Sequence, residues 1–306
     1  MTTDVTAQQT HVGREIRSQP QAWSTALQRL PGLTDLLPQP GERVAVIGCG
    51  TSWFVAGAYA ALRESLGGGP TDAFAASQFP AGRPYDRVLA ISRSGTTTEV
   101  VRAIEATRSP VVAVTAVPDS PIGAVADHTV VLDFADEQSV VQTVFATTTL
   151  MLLRGSAGEE LSQVVEQARA VLSGDSAYPA ELEQADQVTY LGHGWAYGIA
   201  QEAALKMREA AQLWTESYPQ MEYRHGPIAI AQPGRAVWVF GRPVPGIAED
   251  IAATGATLVD DDLDPVADLV RAQLLAVQRA ALRGLDPDQP RNLTRSVMLG
   301  DGPAAS

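Results

Sequence analysis

The sequence predicts an α/β fold of parallel sheets flanked by helices, with one strand–helix pattern run twice. Three observations predict it. Short β-rich runs alternate with helical stretches, which implies right-handed crossovers and sheets covered on both faces. A strand, a Gly-x-Gly turn and a helix open each half, at Gly48-Cys49-Gly50 and at Gly192-His193-Gly194. The length of 306 residues is enough for two domains and for a substantial core without staples.

Residues 1–40 read as a polar, helix-compatible leader. The first strand is Arg43–Ile47 (RVAVI), followed by a helix to about Leu66. Gly67-Gly68-Gly69-Pro70 stops that helix. Thr71–Ala76, Arg87–Ile91, Val111–Thr115 and Thr129–Leu132 supply four more strands, with a helix from about Thr97 to Thr107 between the second and third of these. One long helical segment is expected from about Ser139 to Leu172. The pattern restarts after Ser173–Pro179, with strands at Val188–Leu191, Ala236–Phe240 and Thr257–Val259. Helices are expected from Gly194 to about Leu213 and over Ala267–Arg283. The expected units are a leader (1–40), a first domain (41–176), a second domain (177–284) and a tail (285–306).

With 22 Lys+Arg against 35 Asp+Glu, the net charge is −13. Nucleic-acid binding is not expected, because neutralising phosphates needs clustered cations. The single cysteine, Cys49, excludes an internal disulfide framework. No run is long and apolar enough for a signal peptide or a membrane span, and the reading is a cytoplasmic protein. Four scattered histidines without ligand spacing point to no metal, and no cofactor is expected.

In open parallel sheets ligands sit beyond the C-terminal strand ends. Two such ends carry hydroxyls and glycine: Gly50-Thr51-Ser52 and Ser92-Arg93-Ser94-Gly95-Thr96-Thr97. Each leads into a helix N-terminus, where free amides and the macrodipole favour an anion. Their hydroxyls serve either as helix caps or as anion ligands. Neither turn is a dinucleotide fingerprint or a P-loop. Arg93 either pairs with the anion or points outward. In the second half, Glu202, Lys206 and Glu209 are spaced to share one helix stripe. That stripe is either an exposed salt-bridged face or, given Ala200, Ala203, Ala204, Leu205 and Met207 around it, the wall of a pocket. Desolvation in a pocket raises a carboxyl toward the range of a general base.

The order GCGTS, ISRSGTTTE, EQSVVQT, then QEAALKMRE, EYRHGP and QPRNLTRSV resembles the sugar isomerase (SIS) family over about residues 40–300. The later motifs resemble the isomerase half of glucosamine-6-phosphate synthase. The resemblance implies two SIS domains, each flavodoxin-like and doubly wound, in a pseudo-duplicated chain. It implies phosphate binding by Thr51, Ser52, Ser92, Ser94 and Thr97, and a sugar lined by Val140 and Gln142. It assigns Glu209 as the base that moves a proton between C1 and C2. His225 becomes the ring-opening group supplied by a partner subunit, so a homodimer is implied. Without the resemblance, His225 before Gly226-Pro227 reads as an ordinary turn residue.

The sequence departs from the synthase pattern in four places. The 306 residues leave no room for a glutaminase domain, so release of ammonia from glutamine is not expected. Arg295 stands where the synthase has an imine-forming lysine, a role a permanently protonated guanidinium cannot fill. Arg93 replaces a glutamine and Val144 a lysine. These changes point to stand-alone enzymes acting on an amino-sugar 6-phosphate. The expected activity is conversion of glucosamine-6-phosphate to fructose-6-phosphate and ammonia. The alternatives are a deglycase of fructosamine-type phosphates and a non-catalytic sugar-phosphate sensor.

Overall fold

The structure, a computed structural model, describes residues 9–174 and 178–299. The expected boundary between the domains, at 176 and 177, lies outside the described residues.

The first sheet has five parallel strands: β1 (Val44–Gly48), β2 (Thr71–Ala75), β3 (Arg87–Ile91), β4 (Val111–Thr115) and β5 (His128–Val131). Their order is β2-β1-β3-β4-β5. The second has four: β6 (Gln187–Gly192), β7 (Thr215–Pro219), β8 (Arg235–Phe240) and β9 (Thr257–Asp260), in the order β7-β6-β8-β9. All pairings are parallel. The helices are α1 (His11–Arg29), α2 (Thr51–Ser65), α3 (Thr98–Ala106), α4 (Pro121–Val125), α5 (Val144–Ser156), α6 (Ser162–Ser173), α7 (Ala196–Ala211), α8 (Ile247–Thr254) and α9 (Pro265–Leu282). Among the described residues no helix is long and apolar enough to cross a membrane.

The two Gly-x-Gly turns share one geometry. A Cβ on Gly48, at the end of β1, would lie 2.7 Å from Ser52, four residues on; one on Gly192, at the end of β6, would lie 2.2 Å from Ala196. The second glycine of each turn has positive φ, 53° at Gly50 and 56° at Gly194. Both strands thus turn directly into a helix that packs back over them, which only glycine permits.

Three expectations are corrected. The long helix of 139–172 is two helices, α5 and α6, separated where Gly158 takes φ 96°. Its first residues, Ser139–Thr143, precede α5 as a loop. Strand β7 (TESYP) went unread because it is a short edge strand with polar residues and a terminal proline. The leader helix is a core element: Val12, Ile16 and Trp23 are buried, Trp23 Nε1 donates to Thr147 Oγ1 on α5, and Gln19 Nε2 donates to Gln273 Oε1 on α9. One buried apolar cluster runs from α1 through both sheets.

The contact that positions the site is between α2 and α7. Thr51 meets Lys206, while Phe54 and Ala58 meet Gly198, so the two helices run antiparallel. A Cβ on Gly198 would come within 2.6 Å of the Phe54 carbonyl oxygen. Glycine there allows the backbones to approach closely, and the C-terminal turns of α7 reach the N-terminus of α2.

Candidate functional site

The strand order of the first sheet reverses between β1 and β3, the place where α/β sheets open a ligand crevice. Both hydroxyl-rich turns leave the sheet there. Thr51, Ser52 and Ser92 are buried at this reversal, and Ser92 Oγ lies 3.2 Å from Thr97 Oγ1. Gly95 has φ 64°, and a Cβ on it would collide with Ser120. The turn is therefore held close against the following loop. Ser94 Oγ accepts from the Thr96 amide and hydroxyl.

The tail lies over this turn. Ser296 Oγ is 3.1 Å from Ser94 Oγ and 2.7 Å from Thr96 Oγ1. Thr98 Oγ1 accepts from the Leu299 amide. The Arg295 side chain pairs with Asp136 at the protein surface. Ser296 and Thr96 were not singled out from sequence, although both fall inside the quoted motifs.

Arg93 does not face solvent. It is 1% exposed and donates to the backbone carbonyls of Ser139 and Arg295, at 2.9 and 3.0 Å. Glu137 Oε2 is 3.8 Å away. Glu137 in turn accepts from the amides of Thr143, Val144 and Phe145, capping α5. Burial raises the Glu137 carboxyl and outweighs the opposing pull of Arg93. Sequence reasoning missed Glu137, the first residue of the EQSVVQT motif. Val140 and Gln142 lie partly buried on this same loop, and Gln142 Oε1 is buried without a hydrogen-bond partner.

The stripe on α7 is buried. Lys206, 1% exposed, donates to Thr51 Oγ1 at 3.0 Å and to Glu209 Oε2 at 2.5 Å, and lies 3.5 Å from Glu202 Oε1. Desolvation pushes the Glu202 carboxyl up to about 7, against the pull of Lys206. Burial depresses the Lys206 ammonium, but Glu202 and Glu209 more than offset it, so its pKa is raised. Glu209 keeps 17% of its side chain exposed. It opens on a cleft of about 570 Å³ lined also by Arg208, Trp214, Arg291 and Leu293.

Within one chain His225 makes no hydrogen bond or ion pair with Glu202, Lys206 or Glu209. Arg208, beside Glu209, donates to Thr215 O at the start of β7. His225 is exposed and follows the far end of that strand, in the turn Glu222–His225. Strand β7 alone separates the two ends by about 13 Å at about 3.3 Å per residue.

Residues 37–157 match the SIS domain family. That segment is therefore a SIS domain. Among its relatives, the glutamine–fructose-6-phosphate aminotransferase of Methanothermobacter thermautotrophicus is 29% identical over 94% of this chain and 57% of its own length. That of Gloeobacter violaceus is 31% identical over 88% of this chain and 54% of its own. The chain therefore spans a little over half the length of those relatives. Among solved structures, glucosamine-6-phosphate deaminase from Thermotoga maritima superposes with a TM-score of 0.80 at 24% identity, covering 95% of this chain and 100% of that one. Tagatose-6-phosphate ketose/aldose isomerase from Escherichia coli gives 0.78 at 20%, covering 94% and 98%. At these identities the likeness is one of fold.

Proposed function

We propose that the protein is an amino-sugar phosphate isomerase and deaminase, converting glucosamine-6-phosphate to fructose-6-phosphate and ammonia. The observation that carries this reading is the Lys206–Thr51 hydrogen bond. It puts the ionisable stripe of the second half against the hydroxyl turns of the first. Thr51, Ser52, Ser92, Ser94 and Thr97 hold the phosphate, together with the turn amides and the α2 N-terminus. Val140 and Gln142 line the sugar, and the unpartnered Gln142 oxygen suits a sugar hydroxyl. Arg295 borders the site through its backbone.

Glu209 takes the C2 proton of the open-chain aldose and returns it at C1. The C1 aldehyde becomes a hydroxymethyl group and the C2 amine an imine. Water then adds to C2 and ammonia leaves, giving the ketose. Lys206 holds Glu209 in place through a hydrogen bond, and Glu202 fixes Lys206 from behind. The chemistry needs no metal or cofactor.

We read His225 as the ring-opening group of a partner subunit in a homodimer. The placement of Arg208 at the start of β7 and of His225 after its far end supports this. We also read the halves, 41–176 and 177–284, as diverged copies of one domain. The common strand order and the paired glycine geometry at Gly48 and Gly192 support that reading.

Incubation with glucosamine-6-phosphate tests the proposal directly. Ammonia and fructose-6-phosphate should appear in equal amounts. Binding without turnover across a panel of amino-sugar phosphates would replace the enzyme with a sensor. Release of an amine other than ammonia from fructosamine-type phosphates would make it a deglycase.

A further inference from the structure

We propose that Arg93 is a positioning residue: it sets the tail over the hydroxyl cradle, so that Ser296 adds one more hydroxyl ligand to the bound phosphate group. The inference rests on the cradle binding a phosphomonoester, as proposed above.

Arg93 joins three segments that are distant in sequence. Its backbone carbonyl accepts from the Ala116 amide and the Thr115 hydroxyl, which ties it to the end of β4. Its two terminal nitrogens donate to separate carbonyls, Ser139 on the loop before α5 and Arg295 on the tail. The nearby Glu137 carboxylate balances the buried charge. A planar guanidinium can hold two carbonyls and face a carboxylate at once. A glutamine amide has one donor group and no charge, so it cannot replace all three contacts.

The consequence lies one residue along the tail. With the Arg295 carbonyl held, Ser296 falls beside Ser94 and Thr96. The three hydroxyls cluster on the turn that also carries Ser92 and Thr97, whose own hydroxyls lie 3.2 Å apart. A phosphomonoester dianion has enough acceptor oxygens to take donors from all of them. Arg93 acts here through the tail: its two terminal nitrogens hold the Ser139 and Arg295 carbonyls, and its Nε is buried without a hydrogen-bond partner.

The test has two arms. Hydrogen exchange is measured without ligand over residues 294–299 and over β4 in the wild type, Arg93→Gln and Arg93→Lys. Binding of glucosamine-6-phosphate and of inorganic phosphate is measured by calorimetry in a cycle of Arg93→Gln, Ser296→Ala and the double variant. Exchange in the tail should rise about tenfold or more in Arg93→Gln while β4 stays protected. Each single variant should weaken binding about tenfold, and the double variant little further, since both changes remove the same contact. Unchanged tail exchange in both Arg93 variants overturns the proposal, as does additive loss of binding. If Arg93→Gln does not fold, Arg93→Lys carries both arms. A wild type that binds neither probe overturns the phosphate reading of the site as well, whereas binding with additive losses overturns this inference alone.

Discussion

Lys206 donates a 3.0 Å hydrogen bond to Thr51 Oγ1, joining a helix of the second sheet to the first turn of the other. Both residues are nearly inaccessible to solvent, with Lys206 between Glu202 and Glu209. An ammonium in such a position is retained only when its partners offset its desolvation. The hydroxyl cradle and the acidic stripe therefore meet at one buried cation.

Glu209→Gln should leave sugar-phosphate affinity within about threefold and lower kcat at least ~10²-fold, the low end for loss of a general base. Calorimetry and an ammonia assay on the same preparation separate the two effects. Unchanged turnover would remove Glu209 from the reaction.

Co-expression of Glu209→Gln with His225→Asn should restore activity that neither variant shows alone. If active sites are shared in a two-fold dimer, mixed dimers keep one intact site, and about a quarter of wild-type activity returns. No recovery in verified mixed dimers would show that the two residues do not act across a subunit boundary.

Gly198→Ala should destabilise the protein by about 1–3 kcal/mol, because the new methyl group meets the backbone of α2 and the helices must part. Turnover should fall more than substrate affinity, since the separation takes Lys206 away from Thr51. Urea unfolding and steady-state kinetics check both effects. A variant with wild-type stability would mean that the helix contact is looser than it looks.

Stability should fall as pH rises from about 5 to about 7. In the unfolded chain Glu202 loses its proton near 4.5; folded, it holds the proton to about 7. Across that window the native state binds more protons, so raising the pH favours unfolding, by roughly 3 kcal/mol for this group. Glu202→Gln should flatten that part of the urea-midpoint curve. The same slope in both proteins would assign it to other groups.

Local signals in the sequence were enough to place most strands, because short β-rich runs between turn or helix signals have few alternatives. They also picked out the turns at Gly50–Ser52 and Ser92–Thr97, where hydroxyls and glycine sit between a strand and a helix. They failed where a segment has little local character. Strand β7 is polar and short, and it is a strand only because β6 pairs with it. The leader reads as polar and helix-compatible, yet Val12, Ile16 and Trp23 are buried on a helix that packs against α5, α6 and α9.

The order of chemistry-bearing residues along the chain, and hence the family, was determined by sequence alone. So was the spacing that places Glu202, Lys206 and Glu209 on one stripe, since helix periodicity is a local property. Whether that stripe faces water or a pocket was decided only by tertiary structure, through the approach of α2 at Gly198. The role of Arg93 was decided in the same way. Its carbonyl partners, Ser139 and Arg295, lie 46 and 202 residues away in sequence, and local pattern carries no information about such pairs.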